Sequence, residues 1–148
     1  MLSGTMSLIN FAVMGKKMTI DDVERMLAGA PGIAEETVRF VTAAAGRLID
    51  GGVLDDTDEG GLRMLMLAYD MYIKASRELL RDGPLLRDKR GRMSVHPAEK
   101  LCKTYYAQVL AFMREYGLTV RAKERIKSLA PDEDEQSPLS RFIMGMDG

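Results

Sequence analysis

The sequence predicts an all-α protein: a small helical domain in which two long antiparallel helices are joined by a short β-hairpin or loop. Three observations carry this. Apolar residues recur at helical spacing through residues 55–83 and again through 97–117. Glycines and capping residues stand where these stretches should begin and end. One stretch, "LLRDKRGRMSVHP" over residues 85–97, breaks the helical pattern with four cations and one acid around a single glycine.

The elements follow in order. Thr19 with Asp22 has capping-box spacing, with Asp in place of Glu, and Val23, Met26 and Leu27 give the next turns one apolar face until "GAPG" stops them. Val38, Val41, Ala45 and Leu48 form the stripe of a second helix, closed by Gly51 and Gly52. Asp55, with Asp58 three residues on, caps the third and longest. Its stripe is Leu62, Leu65, Met66, Tyr69, Ile73, Ser76 and Leu80, and Gly83 breaks it. Within the exceptional stretch, residues 88–91 suit a type I turn with Gly91 at positive φ, and Leu86 can pair with Met93 or Val95 across it. His96 reads as a hydrogen-bonded staple for the helix that Pro97 opens. Leu101, Tyr105, Val109, Phe112 and Tyr116 make that helix's stripe, and Gly117 ends it. Thr119 caps a short basic helix. The acidic, proline-flanked "APDEDEQSP" then leads to an apolar ending with Leu139, Phe142, Ile143 and Met144. The division expected is residues 1–30 as an N-terminal segment with a short helix, 31–130 as a helical core and oligomerisation domain, and 131–148 as an acidic linker and apolar tail.

Composition narrows the function. The 148 residues carry a net charge of -1, which argues against a blanket polyanion binder and leaves a local patch, or many copies acting together. The densest patch is Arg87, Lys89, Arg90 and Arg92, followed by Lys100 and Lys103 on the next helix. Cations near a helix N-terminus suit phosphate contacts. Arg121, Lys123, Arg125 and Lys127 alternate along the last helix, a spacing that spreads them around it. One histidine and one cysteine do not make a metal site, so none is expected, and Cys102 reads as a small core residue beside an apolar stripe. Phosphate-cradling glycine loops and nucleophile elbows are absent from the sequence, and the paired acids read as a cap and a solvated linker. The expectation is a binding protein with no cofactor, not an enzyme. Nothing approaches the eighteen or so apolar residues of a membrane span, and the start lacks the pattern of a secretory signal, so a cytoplasmic protein is expected.

Taken together, the features of residues 31–130 resemble the small subunit of a tailed-phage terminase, of the all-helical kind found in long-tailed phages and prophages. "PGIAEETVRFVTAAAGRLIDGGVL" matches the family's Pro-led helix ending in Gly and an apolar pair. "LDDTDEGGLRMLMLAYDMYIKASRELLRDG" matches its capped long helix with a Tyr-rich middle, with Asp55 in place of the usual Thr. "GRMSVHPAEKLCKTYYAQVLAFMREYGLTVRAKERI" matches best: a His-Pro lead-in, a long helix, Gly-Leu-Thr, then a short helix of alternating cations. "SPLSRFIMG" resembles the short apolar ending of many members. The chain departs from the family at its start, which is apolar with Lys16 and Lys17 where members are basic and proline-rich, and at Val120, where Pro is frequent.

The resemblance implies a protomer of a homo-oligomeric ring, in the host bacterial cytoplasm, that recognises double-stranded viral DNA. The ring presents that DNA to the large terminase subunit, which holds the ATPase and nuclease. The cations named above are then the candidate DNA contacts, multiplied around a ring, and Leu139, Phe142 and Ile143 the candidate docking residues for the large subunit. Two other classes fit an all-helical basic protein: a helix-turn-helix regulator built around "GLTVRAKERIKSL", and a structural virion adaptor ring. The first is poorly supplied with Asn, Gln or Ser for reading base edges.

Overall fold

In a computed structural model of the chain, the structure describes residues 15–129. The described residues form five α-helices: α1 (Ile20–Ala28), α2 (Glu35–Asp50), α3 (Glu59–Asp82), α4 (Pro97–Glu115) and α5 (Val120–Leu129). A two-stranded hairpin, β1 (Leu85–Arg87) and β2 (Met93–Val95), joins α3 to α4, so the all-α class with its small hairpin holds.

Local chemistry starts α1 where the sequence places it. The Thr19 hydroxyl accepts from the Asp22 N–H at 3.3 Å, and the Asp22 carboxylate accepts from the Thr19 N–H at 2.9 Å, a complete capping box ahead of α1. Asp55 and Asp58 form a second box, but it closes on a 3₁₀ turn, Asp56–Asp58, and α3 itself begins at Glu59. Gly52, just past α2, takes φ of 67°, which its missing Cβ permits.

The long helices run antiparallel. Gly61 faces Tyr116, Tyr72 packs on Tyr106 with ring centroids 6.1 Å apart, Ser76 Oγ lies 3.4 Å from Cys102 Sγ, and Asp82 meets His96. As one residue number rises, its partner's falls. A Cβ on Gly61 would overlap the Tyr116 hydroxyl, so that glycine makes room for the ring. Cys102 is half-buried in this seam beside Ser76. On the other side of α3 lies α2, whose Phe40 stacks on Tyr69 at 4.1 Å. The core is built from Val23 and Met26 of α1, Val41, Ala44, Ala45 and Leu48 of α2, and Leu62, Leu65 and Met66 of α3.

One polar group sits inside this core. Asp70 is fully buried; its Oδ1 accepts from the Ala34 N–H at 2.8 Å and the Thr37 hydroxyl at 2.9 Å, and Lys74 Nζ stands 2.5 Å from its Oδ2. Burial pushes its pKa up, but the hydrogen bonds from Lys74, Ala34 and Thr37 outweigh that and hold it below the ordinary carboxylate value. Asp70 thereby fixes where the first turn of α2 sits on α3.

Three details of the expected pattern change. Leu80 is 86% exposed and Leu101 is exposed as well, although both fall on helical stripes. The start of α2 reaches α3 only as far as Arg77, which bonds Glu36 at 2.9 Å, so Leu80 lies past the end of that layer and Leu101 close to it on α4. Across the hairpin, Leu86 pairs with Ser94, not with Met93 or Val95; Leu85 faces Val95 and Arg87 faces Met93. The loop sets this register: Gly91 N–H donates to Asp88 O and Asp88 N–H to Arg92 O, both at 2.9 Å. Alternation then turns Leu86 to the opposite face from Leu85 and Arg87.

Packing divides the chain into two units at Tyr116/Gly117. In the second, α5 is capped by the Thr119 hydroxyl, which accepts from the Ala122 N–H at 3.2 Å. The expected docking residues Leu139, Phe142 and Ile143, the acidic linker and the apolar start of the chain lie outside the described residues.

Candidate nucleic-acid interface

The hairpin is built by side chains that satisfy backbone groups in an otherwise bare loop. Gly91 takes φ of 79°, as the sequence requires of that position. Asp88 Oδ1 accepts from the N–H groups of Arg90 (2.8 Å) and Arg92 (2.9 Å), and its Oδ2 from Arg92 Nε at 2.8 Å. These contacts, led by the Arg92 N–H and guanidinium, hold the Asp88 carboxyl below the usual carboxylate range. Arg92 is therefore tied down and its charge locally balanced.

The other cations of the hairpin stand differently. Arg87, Lys89 and Arg90 are exposed, and none of the ion pairs among the described residues involves them. Lys100 on α4 is exposed and equally unpaired among the described residues, whereas Lys103 is paired to Glu99 at 2.5 Å, which raises its pKa. So of the six cations predicted on this unit, four point at solvent uncompensated and two are held by acids. The exposed face of α4 also carries Arg114, at helical spacing from Lys100 and Lys103, with only Ala107 and Ala111 between. Sequence reasoning passed over Arg114; the spacing of residues 100, 103, 107, 111 and 114 was the signal.

His96 anchors the hairpin to α4. Its Nδ1 accepts from the Ala98 N–H at 3.0 Å as an N-cap, which leaves the proton on Nε2 to be donated to Asp82 Oδ2 at 3.1 Å. The Arg81 guanidinium, then His96, hold the Asp82 carboxyl well below the usual carboxylate range. Glu78, Asp82 and His96 present possible metal-ligand atoms within 4.8 Å of one another. Yet both ring nitrogens are engaged and Arg81 bridges the two acids, so the trio is an internal hydrogen-bond set. Replacing His96 with alanine removes a cap and one of these bonds. The expected loss is about 1–2 kcal/mol, read as a lower urea midpoint with an unchanged m-value.

On α5, Arg121 and Arg125 share one side of the helix and Lys123 and Lys127 share another, as i, i+4 pairs. The alternating cations thus form two short rows, and no single face collects all four.

A family model described as the phage terminase small subunit matches residues 42–133, more than half of the chain. The chain belongs to that family. The match takes in most of α2, the long helical pair, the hairpin and α5, and it places this terminase small subunit in phage genome packaging. No curated protein and no solved structure matches it. The helical regulator and the virion adaptor give way to this assignment. Among the described residues, no helix is long and apolar enough to cross a membrane.

Proposed function

We propose that this terminase small subunit is a non-catalytic, DNA-recognising component of the packaging machinery, acting in the host bacterial cytoplasm. It binds double-stranded viral DNA through the hairpin cations and positions and regulates the large ATPase-nuclease subunit. The observation that supports the reading is the hairpin itself: Arg87, Lys89 and Arg90 project from the end of a helical pair and enter none of the ion pairs among the described residues, the nearby Asp88 being taken up by Arg92. Lys100, Lys103, Arg114 and the two rows on α5 (Arg121, Lys123, Arg125 and Lys127) add further phosphate contacts. Residues 31–130 serve as the core and oligomerisation domain. The exposed Leu80, Leu85, Met93, Val95 and Leu101 near the hairpin supply apolar surface for copies to share in a ring. Such a ring turns one small cationic loop per protomer into a continuous band, which reconciles DNA binding with a net charge of -1.

Serine at Arg87, Lys89, Arg90 and Arg92 together should weaken binding to a labelled duplex on the order of a hundredfold per engaged copy at physiological salt. Fluorescence anisotropy measures this, and wild-type affinity in the quadruple variant would refute the assignment. The tail 131–148 docks on the large subunit through the apolar side chains of Leu139, Phe142 and Ile143. Deleting residues 132–148 should abolish co-purification with the large subunit while leaving DNA binding in place. Co-purification that survives the deletion would dispose of that role.

A further inference from the structure

The face of α3 turned away from the core carries an apolar stripe that nothing among the described residues covers. Met64, Leu67 and Met71 stand at i, i+3 and i+7 and are 59%, 44% and 38% exposed. A Cβ on Gly60, one turn earlier, would meet nothing within 4 Å, so the open surface extends to the head of the helix.

The chain before α1 arrives at that same head. Lys17 and Asp55 form an antiparallel bridge, Met18 N–H donates to Leu54 O at 3.2 Å, and Asp56 N–H donates to Lys16 O at 2.8 Å. Gly15 lies so close to Asp56 that a Cβ there would overlap the Asp56 carboxylate. Because this pairing is antiparallel, the chain followed backwards from Met18 to Gly15 runs the way residues 54–56 do, toward the start of α3. The fourteen residues before it, "MLSGTMSLINFAVM", hold eight large apolar side chains and no charged side chain. Thirteen residues extended span about 45 Å, against about 10 Å for the stripe, so reach is ample.

We propose that residues 2–14 dock on the Met64–Leu67–Met71 stripe of the same chain. The exit point at the head of α3 selects this occupant over a second copy, since the tether makes an uncharged apolar segment available at high effective concentration. A consequence follows for assembly: α3's outer face is covered within the protomer, and copies meet through other surfaces.

Methionine oxidation by peroxide, read residue by residue by mass spectrometry, tests this on the full chain. Met64 and Met71 should oxidise about tenfold more slowly in the full chain than in a chain starting at Gly15, as for side chains reached only on local opening. Met66 is fully buried and must stay protected in both, which reports that the shortened chain has kept its fold. Should it not, the full-length double variant Ile9→Asp/Phe11→Asp replaces the deletion and should expose Met64 and Met71 in the same way. Equal oxidation rates with and without the segment would overturn the proposal. With Cys102→Ala in place, Ile9→Cys and Leu67→Cys should form a disulfide within one chain. A disulfide that links two chains, or none, would overturn it as well.

Discussion

Asp70→Ala should lower the free energy of unfolding by about 3–5 kcal/mol, the largest single-residue loss expected in this protein. The substitution leaves the Thr37 hydroxyl, fully buried, and the Ala34 N–H without their acceptor. It also opens a gap where α2 meets α3. Each orphaned buried donor is worth about 1–3 kcal/mol, and the loss of an ion-paired group adds to that. Denaturant titration at fixed protein concentration, so that association does not enter, gives the difference. The effect has a definite pH dependence. Asp70 is held below the ordinary carboxylate value in the folded chain, so its contribution is fully present above that ordinary value, about 3.9. It disappears as the pH falls from there through the lower folded value. Wild type and Asp70→Ala should therefore differ by the full amount at pH 7 and by less in acid, where the share due to the ionised carboxylate is lost and the share due to the gap remains. A difference that stays constant down to low pH would mean that the carboxylate charge is not what holds α2.

Much of the architecture was legible because it rests on short-range chemistry. The Thr19–Asp22 box, the Pro97 start, the His96 cap and the positive φ at Gly91 each need residues no more than four apart, and each is found where the sequence puts it. Long-range facts were not legible. Asp70 looks like one more polar residue on a long amphipathic helix until Ala34 and Thr37, more than thirty residues away, close over it. Leu80 and Leu101 follow the helical period perfectly well, but whether a stripe is covered depends on where α2 begins along α3, and periodicity does not report that. The same holds at the candidate site. The cluster of cations is plain in the sequence. That Asp88 disarms Arg92, and that Glu99 pairs with Lys103, emerges only once the turn and the first turns of α4 have formed.

That distinction gives the second large effect. Removing Arg87, Lys89 and Arg90 should weaken DNA binding and also flatten its salt dependence, because each phosphate neutralised by a cation contributes about 0.9 to the slope of log K against log salt. For three cations the slope should fall by about 2.7 per engaged copy. The paired Arg92 offers a matched control. In Asp88→Asn/Arg92→Ser one acid and one cation are lost together, and the Asn oxygen can still accept from the Arg90 and Arg92 N–H groups. That variant should keep nearly the wild-type slope. The most direct measurement is therefore the salt titration of duplex binding for wild type, the triple serine variant and this charge-neutral pair, each first checked for the same assembly state. A slope that drops in the triple variant alone is the expected result; a triple variant with the wild-type slope would contradict DNA gripping by the hairpin.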